Sequence, residues 1–154
     1  MKKLIISSLI LSMLAMPSMA ASLYAPFVPA YTAPNGVVVS VKSDLDVINY
    51  KNNTVEIILQ TEINDPSKPY ITRKMNHFYY ALDPRGSGIP YSVLYRVDRY
   101  THIARNSATV LDGSVTPTMI VPLAESSDEY KLSTYAFKFA VESGKMAKAK
   151  AKSK

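Results

Sequence analysis

The 154-residue chain carries no cysteine, 18 Lys and Arg against 12 Asp and Glu, and a formal net charge of +6. That length suits one domain of ordinary size, and the missing cysteines exclude disulfides, thiolate metal sites and a cysteine nucleophile together. With 47% hydrophobic and 19% charged residues, the composition is that of a folded protein and not of a disordered one.

Residues 1–20 open with Met1, Lys2 and Lys3, continue as an apolar run, and end on Pro17, Ser18, Met19 and Ala20. A positive start, an apolar centre and small residues at the end are the three parts of a secretory signal peptide, with cleavage expected after Ala20. The apolar run is shorter than the roughly 20 residues a spanning helix needs. The sequence therefore predicts a periplasmic or secreted, surface-associated protein with no transmembrane segment after cleavage. In that oxidising space a cysteine-free fold holds by packing alone.

The charge divides unevenly. Two of the 18 basic residues, Lys2 and Lys3, lie in the leader, and five (Lys145, Lys148, Lys150, Lys152 and Lys154) lie at the end. That leaves 11 bases against 12 acids over residues 21–144. The body is nearly neutral, which with the export signal disfavours nucleic acid as a partner.

Residues 21–36 hold Pro26, Pro29 and Pro34 with Tyr24, Phe27 and Tyr31 between them. Three prolines in so short a stretch argue against a helix or a central strand. The expectation is an extended arm whose Tyr24, Phe27 and Tyr31 are candidate partner-binding residues.

From residue 37 the hydrophobic period is two. Val37, Val39 and Val41 share a face; Val55, Ile57 and Leu59 alternate with Glu56 and Gln60; Phe78, Tyr80 and Leu82 alternate with His77, Tyr79 and Ala81. Tyr91, Val93, Tyr95 and Val97 alternate with Ser92, Arg96 and Asp98, and Tyr135, Phe137, Phe139 and Val141 alternate with Thr134, Lys138 and Glu142. Alternation of this kind marks half-buried strands. Turn chemistry separates the runs at Asn52-Asn53, Asn64-Asp65-Pro66-Ser67, Asp83-Pro84-Arg85-Gly86, Asp112-Gly113 and Ser126-Ser127-Asp128. Seven or eight short strands at such spacing predict an all-β domain over residues 37–143, an immunoglobulin-like β-sandwich with a small barrel as the competing architecture. Residues 144–154, a Lys/Ala run, are expected to be a basic flexible tail and a candidate contact for an anionic surface.

The chemistry-bearing residues are few. His77 and His102 stand without the His-x-His or His-Glu-x-x-His spacing of a metal site. Ser87 lacks a nucleophile elbow, the five glycines build no phosphate loop, and the carboxylate pairs Asp44/Asp46 and Asp128/Glu129 read as surface strand or turn. No catalytic residue, metal ligand or cofactor is expected. The unusual feature is eleven tyrosines, all after residue 20. Tyr79, Tyr95 and Tyr100 lie close in sequence to Arg96 and Arg99, and tyrosine with arginine is the composition of binding surfaces. These five are candidate ligand-binding residues, for a glycan or small ligand.

Val37-Val38-Val39-Ser40, Thr54-Val55-Glu56-Ile57-Ile58-Leu59 and Asn64-Asp65-Pro66-Ser67-Lys68-Pro69-Tyr70-Ile71 together resemble the first domain of periplasmic pilus chaperones, over residues 37–75. The resemblance implies an immunoglobulin-like domain that opens with two strands and a proline turn. Where that family carries an arginine that grips a subunit carboxylate, this chain reads Ser43-Asp44-Leu45-Asp46. A pilin-like subunit is the variant within the same system, with the arm similar to a donor extension and residues 133–141 similar to a last strand. The sequence thus predicts a non-catalytic envelope or surface protein that acts by protein–protein contact, a pilus- or secretion-type accessory or structural subunit, with glycan or small-ligand binding as the alternative.

Overall fold

The computed structural model describes residues 26–107 and 109–153, so the leader and Tyr24 lie outside the described residues. The chain is mostly β. Its strands are β1 (Phe27–Thr32), β2 (Val38–Lys51), β3 (Thr54–Asn64), β4 (Tyr70–Leu82), β5 (Pro90–Ala104), β6 (Val110–Ser114) and β7 (Val121–Pro122), followed by helices α1 (Asp128–Glu142) and α2 (Lys145–Lys152). The strands form one antiparallel sheet in the order β1-β2-β3-β4-β5-β6, with β7 also paired to β5. Sequential neighbours joined by tight turns make a meander, the least demanding way to build a sheet.

The turns read from sequence sit where their chemistry places them. Asn52 and Asn53 join β2 to β3 with φ of 50° and 59°, the left-handed pair that a two-residue hairpin needs and that asparagine tolerates. Asp65 accepts from the Ser67 backbone N–H at 2.9 Å. Arg105, just past β5, donates to Asn64 Oδ1 at 2.6 Å and to the Asp65 carbonyl at 2.7 Å, which fastens the β3–β4 turn to the sheet.

Alternation decides which face is apolar. Val41, Leu45, Val55, Ile57, Leu59, Phe78 and Tyr80 are buried on one face, in register across the sheet: Leu45 opposite Leu59, Ile57 opposite Phe78, and Phe78 opposite Tyr95. Between Val41 and Leu45 the register shifts by two extra residues on β2, so both side chains stay on the same face. Buried polar groups on this face are paired. Asn76 Nδ2 donates to the Leu59 carbonyl and to Thr61 Oγ1, and the Tyr95 hydroxyl donates to Asn76 Oδ1 at 2.9 Å.

A second sheet was expected to cover this face. Among the described residues there is no second sheet, and α1 takes its place. Residues 134–142, read as a terminal strand, are helical. Ser127 caps the helix with extended backbone, its hydroxyl accepting from the Tyr130 N–H at 3.1 Å, and Asp128 and Glu129 occupy the first turn, where negative charge is favoured. The decisive residues are Leu132, Ala136 and Ala140, buried at a spacing of four. Alternating aromatics mask that period in the sequence, but the two small alanines let the helix lie close on the sheet. The Tyr80 hydroxyl, inside the contact, donates to the Ser133 carbonyl at 2.7 Å.

Two further expectations are corrected. The Lys/Ala run is helical as α2, because Gly144 with φ of 71° turns the chain out of α1 and Lys145 then holds Asp44 and the Leu45 carbonyl of β2. The segment 21–36 is an arm only in part. Phe27–Thr32 pair with β2 as an edge strand, and Pro29 is tolerated there beside a register shift.

Two outcomes follow from these contacts. Ala136 would point to the polar side of a strand, whereas in α1 it is fully buried. Ala136→Asp should therefore cost more than about 3 kcal/mol in chemical denaturation, by burying an unpaired charge. The hydrogen bond from Lys145 holds the Asp44 carboxyl below its usual range. A depressed carboxyl contributes stability that is present above about pH 4 and is lost as pH falls through its lowered value. Amide protection factors in α2 should be steady down to about pH 4 and fall below it, and in Lys145→Ala they should be low throughout.

Candidate functional site

The face of the sheet away from α1 is polar, and one network dominates it. His77 on β4 is only 5% exposed although no helix covers it. Its Nε2 lies 2.8 Å from Glu56 Oε2 on β3, and its Nδ1 lies 3.0 Å from Asp98 Oδ2 on β5. Glu56 Oε1 accepts from Asn49 Nδ2 on β2 at 3.1 Å, and Asp98 Oδ1 accepts from Arg96 Nε at 2.6 Å. The Tyr79 ring stacks on the imidazole at 4.2 Å, and the Arg96 guanidinium lies 5.7 Å from the centre of the same tyrosine ring. Burial raises the Tyr79 hydroxyl above its ordinary value, with Glu56 and Asp98 adding to the rise and Arg96 opposing it.

This network links four neighbouring strands through six side chains. It places a histidine between two carboxylates, a grouping close to that of general acid–base sites. The geometry argues for a clasp instead. Both ring nitrogens already face carboxylate oxygens of neighbouring strands, so the ring bridges β3 and β5 across β4. Among the described residues, no three His, Cys, Asp or Glu side chains converge in a way that would hold a metal ion.

His102 is arranged differently. Its Nδ1 meets Asp112 Oδ1 on β6, and its ring lies 4.3 Å from that of Tyr70 and 5.2 Å from that of Tyr100. Among the described residues no hydroxyl or thiol makes a hydrogen bond with this ring. The cleft described below lies elsewhere.

The five residues expected to bind a ligand fall on two faces. Tyr79, Arg96 and Arg99 are on the polar face. Tyr95 is core, 8% exposed, and burial pushes its hydroxyl well above the ordinary value. Tyr100 pairs with Lys74 on the α1 side. Tyr95 is opposite in face to Arg96 by plain alternation, and for Arg99 and Tyr100 the cause is a β-bulge. Met75 pairs with Arg99 and Asn76 with Val97, so Asp98 is the extra residue. A bulge turns two successive side chains to one side, and here it brings Asp98 to His77 and puts Arg99 and Tyr100 on faces opposite to strict alternation. A single site made of all five is excluded.

The residues expected to bind a partner are placed as follows. Phe27 on β1 stacks under Arg73 at 5.1 Å. Tyr31 packs against the core beside the start of α1, its hydroxyl raised by burial and by Asp128 and Glu129.

Two features were missed from sequence. The first is an apolar margin where the chain runs from β6 to β7 along β5. Val115 and Met119 are 82% and 84% exposed, and Val110, Leu111, Ile120 and Val121 are also open to solvent. Between Arg105 and Glu125 the only charged residue is Asp112, which His102 engages. A stretch so free of charge was a readable signal. The second is a cleft between α1 and the start of β5, lined by Tyr91, Tyr130 and Phe137; its residues come from distant parts of the chain, and no sequence signal joins them. Comparison with models of known protein families, with curated proteins and with solved structures finds no match.

The clasp has a measurable consequence. His77→Ala leaves Glu56 and Asp98 facing each other without a donor between them, and should cost about 2–3 kcal/mol in urea denaturation. His102→Ala, at a partly exposed pair, should cost under about 1 kcal/mol. Equal losses would mean that the His77 network does not tie the strands together.

Proposed function

We propose that the protein is an exported bacterial envelope or surface component that acts by protein–protein contact, as a pilus- or secretion-type accessory or structural subunit, and not by catalysis. The observation that carries this reading is the apolar margin. Exposed apolar side chains are ordinary when scattered, but a contiguous group depleted of charge is the mark of an interaction surface. The margin also lies on a sheet edge. β6 pairs with β5 on one side only, so its outer backbone groups are free for an added strand. Pro117 and Pro122 restrict such pairing to the five residues of β6. Gly113 keeps that strand close to β5, since a Cβ there would lie 2.6 Å from the Tyr100 carbonyl oxygen.

The signal-like leader supports export, and the occupied nitrogens of His77 favour contact over chemistry. The lysines of α2 add a second, electrostatic contact. Lys148, Lys150 and Lys152 are exposed on one short helix, and each lysine near an anionic membrane surface contributes about 1 kcal/mol.

The test is site-specific photocrosslinking of the full chain in its host. A crosslinker at position 119 should give a discrete adduct with one other protein, and one at the exposed Lys131 should not. Val115→Lys with Met119→Lys should reduce partner recovery at least tenfold and leave the melting temperature within about 2 °C, because both positions are exposed. Recovery unchanged by the lysines would overturn the margin as the contact surface.

A further inference from the structure

The cleft between α1 and β5 is separate from both the apolar margin and the His77 network. Its volume is about 430 Å³, within the range of small-molecule sites. Tyr91 at the start of β5 is 70% exposed and forms one wall, and Tyr130 and Phe137 of α1 form the other. The floor is fixed, because the Tyr80 hydroxyl is committed to the Ser133 carbonyl and Phe137 packs on the Tyr80 ring at 5.1 Å. Glu125 and Lys138 stand in the same lining. Glu125 makes no ion pair among the described residues, and Lys138 is held only by a 3.8 Å contact with Glu142.

The chemistry of this lining selects among ligands. An alkyl chain would use neither Glu125 nor Lys138. A phosphate would meet Lys138 but be repelled by Glu125. A neutral sugar satisfies both, since a hydroxyl both donates and accepts, while a carboxylate only accepts and an ammonium only donates. The apolar C–H face of a sugar ring then has an aromatic surface to lie on. We propose that this cleft binds a short neutral saccharide, stacked on Tyr91 with its hydroxyls shared between Glu125 and Lys138.

The experiment is saturation-transfer NMR and thermal shift on the full chain, with N-acetylglucosamine, chitobiose, maltotriose and cellotriose as probes and octyl sulfate and a neutral tripeptide as controls. The expected result is saturable binding of at least one saccharide. Affinity should fall about tenfold in Tyr91→Ala and in Lys138→Gln, each a loss of about 1.4 kcal/mol. Tyr91 and Lys138 are both exposed, so neither variant should change the fold, which circular dichroism checks. Binding should persist in the Val115→Lys, Met119→Lys variant, so this proposal and the partner-binding one fail separately. No response to any saccharide, binding that survives both cleft variants, or preference for octyl sulfate or the tripeptide would each overturn it.

Discussion

A single sheet with one apolar face folds only if something covers that face, and here the cover is α1. Phe78, Ile57, Leu59 and Val55 are fully buried, and strand pairing alone would leave their side chains in water. Leu132, Ala136 and Ala140 supply the matching surface. The alanines carry the constraint. Larger residues at those positions would hold the helix away from Tyr80 and break its hydrogen bond to Ser133, whereas smaller ones would forfeit contact.

Once α1 has taken one face, the character of the other follows. It must stay compatible with water while still holding long, twisted strands in register. The run from Asn49 through Glu56, His77 and Asp98 to Arg96 does this with polar groups that satisfy one another. What remains open is the margin beyond β5, where neither helix reaches and the sheet ends on exposed apolar side chains. The sheet is thus divided into a face covered by α1, a face tied by polar groups and, among the described residues, a margin of exposed apolar side chains.

Much of the sheet was legible in the sequence, because alternation is a direct consequence of strand geometry. Val55-Glu56-Ile57-Ile58-Leu59 and Phe78-Tyr79-Tyr80 gave their faces correctly, and Asn52-Asn53 gave its turn. The segment from Thr134 to Glu142 was not legible by the same rule. Tyr135, Phe137, Phe139 and Val141 alternate, yet Leu132, Ala136 and Ala140 recur every four residues, and alanine is a weak hydrophobic signal beside an aromatic. The Ser127 cap and the acidic first turn were present in the sequence but were read as turn chemistry only. Site residues suffered from a different cause. A bulge at Asp98 inverts the parity of everything after it on β5, and one sequence does not reveal a bulge. Hence Tyr100 falls on the face opposite to Arg96 and Arg99 on the same one, whereas Tyr95 is separated from Arg96 by plain alternation; the contact of Asp98 with His77 across β4 and β5 has no local sequence signal.

The claim on which the rest stands is that α1 is a helix lying across the sheet on its small residues. The most direct measurement is NMR of the folded protein, through Cα shifts over residues 128–142 and nuclear Overhauser contacts of the Tyr80 ring. The account predicts helical shifts throughout and strong contacts from Tyr80 to Phe137 and Ser133. Extended shifts over residues 134–142, with cross-strand contacts to another strand, would contradict it and restore a second sheet.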